Sequence, residues 1–317
     1  MGASENRLST FYEHVKDRFI PLSDHPMTDI HITLDNWNEN LGRSLSTFAA
    51  YHKFFQEQRK STGSIENLFK KFLPELTRGL AGHFFHGLLR FGYALEVLNE
   101  DEEEATFALA YWACVYLHLT DEQAEASLAA QSSEPIAVLE QMGKRKAEMV
   151  DGLSKSHPLL CMEEIREKAA FKDCFKPIEP GPKDDLIKPL AECAIQWFAE
   201  TEGFIAVHLV SACYALRMSL KYLTEDAQRT ALNQLWLAFC VSYVAHSNPN
   251  LNPSHVTPSM TWDQIKAEIV EKSYDDHEIK MVFACWREFE YRHQLPTYQY
   301  SAERVVKKKA CTARDSE

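Results

Sequence analysis

The apolar residues of this chain recur at intervals of three and four, the spacing that places side chains on one face of an α-helix. The segment that begins at Met27 shows this pattern most clearly. Its apolar positions are Ile30, Leu34, Trp37, Leu41, Leu45, Phe48 and Phe55. Pro26 suits the first position of that helix and sets His25 at or just before its N-terminus.

No segment sustains the period of two that a half-buried strand requires. The sequence therefore predicts an all-α fold, organised as a single multi-helix domain.

The boundaries of the helices are predicted from capping and helix-breaking residues. Helices are expected from Pro74 to about Leu98, from Ala105 to Leu119, from Thr120, after Pro135, over 185–201 and 203–223, from Thr224 to about His246, from Thr261 and after Ser273. Phe175–Pro182 is the strongest helix-breaking stretch. Residues 152–185 are therefore expected to form a loop or linker between two helical halves of a domain over 1–305. The last residues, 306–317, are expected to form a basic, disordered tail.

Charge and cysteine usage exclude several classes of protein. The net charge is -12 and the basic residues are dispersed except for Lys307–Lys309, so nucleic acid is not an expected partner. The eight cysteines form no CxxC pair, which fits a reducing, cytoplasmic compartment. The polar N-terminus lacks the apolar core of a secretory signal. The longest uncharged stretch, 105–120, is shorter than the roughly 20 residues that span a bilayer, so no membrane partner is expected.

The predicted helix after Pro74 carries unusual residues around His86. Gly79, His86 and Tyr93 are spaced by seven on one face, and His83 lies one turn before His86, so both imidazoles could reach one ligand. Glycines cost about 1 kcal/mol each inside a helix. Close approach of a ligand or tight helix packing would each explain them. Arg90, one turn beyond His86, either anchors a substrate or forms a salt bridge.

His208 and Lys280 are the other polar residues in apolar surroundings. His208 lies in an uncharged run from Phe204 to Cys213, so we expect a buried imidazole whose partner is a metal, a carboxylate or a backbone carbonyl. Lys280 follows His277 by three residues and borders the apolar face of Phe283. It either forms an ion pair or acts as a base or, once carbamylated, as a ligand.

Four stretches together resemble the questin oxidase-like family, helical oxidoreductases related to fungal enzymes that oxidatively open or rearrange polyketide anthraquinone rings. The stretches are Asp24–Met27, His86–Glu96, His208–Arg217 and Asp276–Lys280. They occur in matching order from about residue 10 to residue 305. The chain departs from the family pattern at Asp24, where Asn is frequent, at His83, and at Tyr214, where histidine is common.

The resemblance implies a helical fold with a central, histidine-lined pocket. Its implied metal ligands are His25, His86, His208 and His277, with Lys280 beside them as a possible addition. The spacing of His83 to His86, rather than the resemblance, makes His83 a further possible ligand. Lys280, Arg90 and Tyr93 are the candidate catalytic residues. Imidazole-rich sites suit non-haem Fe²⁺.

Several functions remain open at this point. The first is an iron-dependent mono- or dioxygenase that uses O2 on an aromatic or polyketide-like small molecule. The second is a metal-free, NADPH-dependent Baeyer-Villiger-type oxidation with histidines as acid and base. No nucleotide-binding fingerprint supports the second function. The third is an inactive helical binding protein whose histidines are satisfied by hydrogen bonds.

Overall fold

The computed structural model describes residues 1–18, 29–119, 134–155, 161–246, 251, 256–292 and 294–314, with side chains as far as Lys308. Across these ranges the chain forms fifteen α-helices and no strand, apart from an isolated bridge between Leu80 and Leu117. The all-α prediction is confirmed. The helices are α1 Glu5–Val15, α2 Phe48–Thr62, α3 Ile65–Leu76, α4 His86–Glu96, α5 Glu102–Val115, α6 Pro135–Lys144, α7 Lys146–Val150, α8 Met162–Glu167, α9 Ala169–Cys174, α10 Lys188–Thr201, α11 Phe204–Ser219, α12 Glu225–Ala245, α13 Trp262–Lys272, α14 Asp276–Tyr291 and α15 Pro296–Arg314.

The helices cluster into two compact units, and each unit is assembled from separate stretches of chain. Unit 1 comprises Met1–Asp24, Ala191–Tyr214 and Pro249–Glu317. Unit 2 comprises His25–Leu190 and Ala215–Asn248. The units therefore do not follow the two sequence halves on either side of residues 152–185.

Unit 2 has an aromatic core between α2, α3, α4 and α5. Phe72 packs edge-on against Phe54 and Phe55, with ring centroids 5.5 and 5.3 Å apart. Glycines let the backbone of α4 approach its neighbours. A Cβ at Gly87 would lie 2.6 Å from the Trp112 ring. Tight helix packing is thus the interpretation of this glycine that the structure supports.

The helix predicted from Met27 through Leu45 is wrong for the described residues 29–47. They form turns and two short 3-10 helices, and α2 begins only at Phe48. Asn36 Oδ1 accepts a hydrogen bond from the Thr33 backbone N–H at 2.8 Å, and Asn40 donates to the Asn36 carbonyl at 2.7 Å. These side chains compete with the helical backbone for its hydrogen-bonding groups. Gly42, with φ of 72°, then turns the chain.

The single helix predicted from Pro74 to Leu98 is also wrong, because the chain leaves the helix between α3 and α4. His83, Phe84 and Phe85 have φ of 46°, 55° and 67°, a left-handed turn that ends where α4 begins. A Cβ at Gly82 would lie 1.5 Å from the Val115 carbonyl oxygen. This backbone contact fixes the chain before the turn. Gly79 and His83 therefore do not share a helix face with His86.

The remaining helix predictions have mixed outcomes. The helices after Pro135, Thr224 and Thr261 are confirmed, the last with both hydrogen bonds of a capping box. α5 ends at Val115 rather than Leu119, and α8 and α9 lie inside the predicted loop over 152–185. The helix expected from Thr120 lies outside the described residues.

The tail expected to be disordered is helical as far as Arg314. Lys307 forms an ion pair with Glu303 one turn earlier, and Lys308 lies 3.6 Å from Glu202. Glu303 also accepts hydrogen bonds from the Ser259 and Met260 backbone N–H groups at 2.6 and 2.9 Å. Burial alone would raise the pKa of Glu303, but the hydrogen bonds from Lys307 and from residues 259–260 lower it to about 2. These contacts stabilise α15 within unit 1.

The segment Phe204–Tyr222 is long and apolar enough to cross a membrane, by length and composition only. Most of it, 72%, is buried inside the protein. The core helix of a folded domain has the same composition, so the burial accounts for its apolar character.

We predict that Gly82→Ala lowers Tm by about 5 °C or more, because the added methyl group collides with backbone atoms that cannot move aside. Gly63→Ala is the matched control. Gly63 has a φ of 77° but no atom within 4 Å of the added Cβ. Gly63→Ala therefore adds backbone strain alone, and we expect it to lower Tm by about 2 °C. Thermal unfolding followed by circular dichroism measures both. Equal shifts would contradict the packing account.

Candidate metal site

His208 is a buried histidine in the first half of α11. His208 is only 1% exposed, as the uncharged run around it predicts. Its Nδ1 lies 2.8 Å from the Phe204 carbonyl oxygen, one turn earlier in the helix. Because a carbonyl can only accept, Nδ1 carries the proton and Nε2 carries the lone pair. His208 is therefore held in the tautomer that coordinates a metal through Nε2.

His277 lies in the first turn of α14, whose N-cap is Asp275. The Asp275 carboxylate accepts from the His277 backbone N–H at 2.8 Å, which fixes the start of the helix. The His277 side chain is 31% exposed. Its ring centroid is 5.2 Å from that of His208, and Phe204 contacts both rings at 4.9 and 4.3 Å. Unit 1 thus brings together two of the predicted ligands.

The spacing of these two imidazoles fits a shared metal ion. Ligand nitrogens of His208 and His277 lie within 4.8 Å of each other. Two nitrogens bound to one first-row metal at about 2.1 Å each are at most roughly 4 Å apart. The separation of the two imidazoles is close to that limit. The donor set therefore fits a transition metal.

Two carboxylates form a second candidate group with His277, separate from its pairing with His208. Asp275 and Asp276 offer oxygens that lie within 4.8 Å of a His277 nitrogen and of each other. The Nδ1 atom of His277 is 3.4 Å from Asp275 Oδ1 and 3.5 Å from Asp276 Oδ1. In this stretch the sequence pattern indicated only His277 and Lys280 as candidate site residues. The adjacent acidic pair was the signal that would have identified these further candidates.

Lys280 forms an ion pair with Asp276 across one turn of α14, with Nζ 2.5 Å from Oδ2. Of the alternatives for Lys280, the ion pair is the one that the structure contains. Burial alone would raise the pKa of Asp276, but the hydrogen bond and charge of Lys280, with a contribution from His277, hold this pKa below its usual value. Asp276 is therefore held as a carboxylate.

The other sequence candidates lie in unit 2 or outside the described residues. His86 is the first residue of α4, and its Nδ1 donates to the His83 carbonyl, which again leaves the lone pair on Nε2. The His83 side chain is exposed and Tyr93 is half-buried on α4. His25 lies outside the described residues.

Arg90 is engaged in a salt bridge, the second of the two roles considered for it. Its Nη2 lies 3.0 Å from Glu104 Oε1, and Nε donates to the same oxygen at 3.1 Å. The guanidinium carbon also lies 5.8 Å from the centre of the Tyr111 ring. These contacts anchor α4 to α5.

A cleft of about 240 Å³ opens beside His277 in unit 1. Its lining combines apolar and charged side chains from α10, α11, α14 and α15 and from the turn between α10 and α11. The lining residues are Phe198, Glu202, Phe204, Val207, His277, Glu278, Met281, Val305 and Lys308. The sequence did not indicate this cleft, because its walls come from two stretches of chain, 198–207 and 277–308, that are separated by about 70 residues.

Comparison with known proteins agrees with the resemblance of the sequence motifs. The family model for questin oxidase-like proteins matches residues 1–285, which include both His208 and His277. No curated protein matches the chain. A match over this share of the chain establishes the family, and family membership implies an oxidoreductase. The chain belongs to the questin oxidase-like family.

Proposed function

We propose that the protein is an oxygen-using oxidoreductase that binds non-haem iron through His208 and His277 and oxidises an aromatic or polyketide-like small molecule. One observation carries the proposal: two imidazoles from separate helices of unit 1 lie with ligand nitrogens within 4.8 Å. Imidazole together with carboxylate oxygen is a donor set that suits Fe²⁺ and leaves positions open for O2. The family adds the expectation of oxidative chemistry.

The residues around the pair have definite tasks in this proposal. The Phe204 carbonyl orients the His208 ring through the Nδ1–H bond, a common way to set a metal-binding imidazole. Asp276 lies beside His277 and is kept charged by Lys280. Bound iron would supply activation of O2. The cleft offers room for a substrate next to His277.

His86 and His25 stay in the proposal as ligands implied by the resemblance. The hydrogen bond from His86 Nδ1 to the His83 carbonyl gives His86 the same tautomer as His208. Lys280 and Arg90 are both ion-paired, and so we assign Lys280 an electrostatic role and Arg90 a structural one. Tyr93 remains a candidate catalytic residue from the sequence.

A metal-free oxidation is the second candidate, and one observation favours it. His277 Nδ1 faces the carboxylates of Asp275 and Asp276 at 3.4 and 3.5 Å. Carboxylates at these distances can orient the imidazole, so His277 would act as general base toward a substrate in the cleft. In an oxidation of Baeyer-Villiger type, O2 would then be the oxidant, with one oxygen atom inserted into the substrate and the other leaving as water, and NADPH would supply the two electrons.

We predict that the protein, purified without chelators after growth with added iron, contains about one iron per chain. His277→Gln and His208→Gln should each retain less than roughly a tenth of that iron, because a ligand is lost. His31→Gln replaces an exposed histidine of unit 2 and is the control that should keep the metal. Inductively coupled plasma mass spectrometry measures the iron, and circular dichroism verifies folding.

Two results would contradict the iron proposal. The first is a parent protein without transition metal after growth with added iron. The second is undiminished iron in the folded His277→Gln protein. NADPH oxidation in a metal-free parent would favour the second candidate, whereas neither metal nor turnover would favour a helical binding protein. The same measurement on His86→Gln and His25→Gln tests the ligands implied by the resemblance.

Replacement of Lys280 separates its possible roles. We predict that Lys280→Arg keeps iron content and activity within about twofold of the parent, because arginine can still pair with Asp276. Lys280→Met should reduce both, since it leaves the Asp276 carboxylate without its partner. If Lys280 is instead a base or a carbamylated ligand, arginine will fail as completely as methionine. Iron analysis and O2 consumption measure the two outcomes.

A further inference from the structure

The cleft beside His277 has one wall made by the C-terminal helix. Val305 and Lys308, one turn apart on α15, line the cleft together with Phe198, Phe204 and Met281. Most of this surface is apolar. Phe204 is 51% exposed despite its aromatic ring, and exposed apolar surface in a concave site is typical of ligand binding.

Two cations of α15 converge on one carboxylate at the edge of the cleft. Glu202 forms an ion pair with Arg304 and lies 3.6 Å from the Lys308 ammonium. Glu202 has a φ of 49°, so the turn between α10 and α11 adopts a left-handed conformation there. Arg304 also donates to the Ala199 carbonyl at 3.4 Å. These contacts hold α15 against the end of α10 and fix the position of the wall.

The charges around the cleft leave Lys308 as the group best placed to receive a ligand anion. Its side chain is 69% exposed, and an ammonium has three N–H donors. Arg304 already pairs with the Glu202 carboxylate. The Glu278 carboxylate, the other acid of the lining, accepts a hydrogen bond from Ser273 Oγ at 2.5 Å. An anionic group of a ligand at the rim would therefore meet the Lys308 ammonium. The acid nearest to Lys308 is Glu202, which is also paired with Arg304.

This wall lies beyond the residues that the family model matches. The family match ends at residue 285, whereas α15 begins at Pro296. His277 and most of the apolar lining lie inside the match. The residues that the family model matches thus supply the candidate metal ligand His277, and α15 supplies a further part of the cleft lining.

We propose that α15 determines ligand selection at this cleft, with Val305 limiting the size of an apolar ring system and Lys308 selecting an anionic substituent on it. A volume of about 240 Å³ lies just below the roughly 300–1,000 Å³ typical of small-molecule pockets, so the cleft restricts the ligand to a small ring system. The assignment of this ligand as a substrate rests on the proposed function. Binding in the cleft does not depend on iron.

The experiment uses two fluorescent probes that share a ring system and differ in charge. Anilinonaphthalene sulfonate carries an anionic group, and phenylnaphthylamine is its neutral counterpart. Binding of each probe is titrated by fluorescence with full-length parent protein, Lys308→Met, Val305→Phe and Lys272→Met. Lys272 is an exposed lysine of α13 in the same unit, outside the cleft lining, and serves as the charge control.

Lys308→Met should weaken binding of the sulfonate probe about threefold to fivefold, as loss of an exposed charge pair does, and leave the neutral probe within about twofold. Val305→Phe should weaken both probes, because it fills the cleft. Lys272→Met should affect neither. Equal effects of Lys308→Met on the two probes, or unchanged binding to Val305→Phe, would overturn the proposal.

Repetition of the titrations after removal of metal with a chelator separates this proposal from the function. Retained charge selectivity in a protein that never holds iron would support the cleft while the iron proposal fails. Loss of charge selectivity in a protein that binds iron normally would overturn the cleft proposal while the iron proposal stands. Circular dichroism of each variant verifies that α15 still folds.

Discussion

The hydrogen bond from His208 Nδ1 to the Phe204 carbonyl is the interaction on which the candidate site depends. An imidazole with 1% exposure in an uncharged helix requires a polar partner. The carbonyl one turn earlier satisfies one nitrogen, and since it can only accept, it also decides which nitrogen keeps a lone pair. A helix that would otherwise be purely structural therefore presents a defined ligand atom.

The start of α14 complements this buried histidine. Asp275 caps the helix through the His277 backbone N–H, and Lys280 holds Asp276 one turn along. These local contacts orient a partly exposed imidazole toward a buried one and keep carboxylate oxygens next to it. The arrangement combines a rigid ligand with an adjustable one, and it lies at the edge of a cleft that solutes can enter. Local helix chemistry thus positions both the candidate metal site and its access.

The sequence could predict features that depend on neighbouring residues, and it failed where distant backbone contacts decide the structure. Burial of His208 followed from its uncharged surroundings, and the caps at Thr224 and Thr261 followed from their side chains. The left-handed turn before His86 could not be predicted from neighbouring residues, because it accompanies the contact of Gly82 with Val115. The same limit applies to the cleft, since no local pattern could indicate that α15 would pair with Glu202.

X-ray absorption at the iron edge of the iron-loaded parent protein tests whether His208 and His277 bind the metal. Imidazole ligands give outer-shell scattering that distinguishes them from water and carboxylate. We expect nitrogen and oxygen neighbours at about 2.1 Å with scattering from at least two imidazoles, and a smaller imidazole contribution in His277→Gln. Iron bound without imidazole scattering, or a spectrum unchanged in His277→Gln, would contradict the assignment of His208 and His277 as ligands.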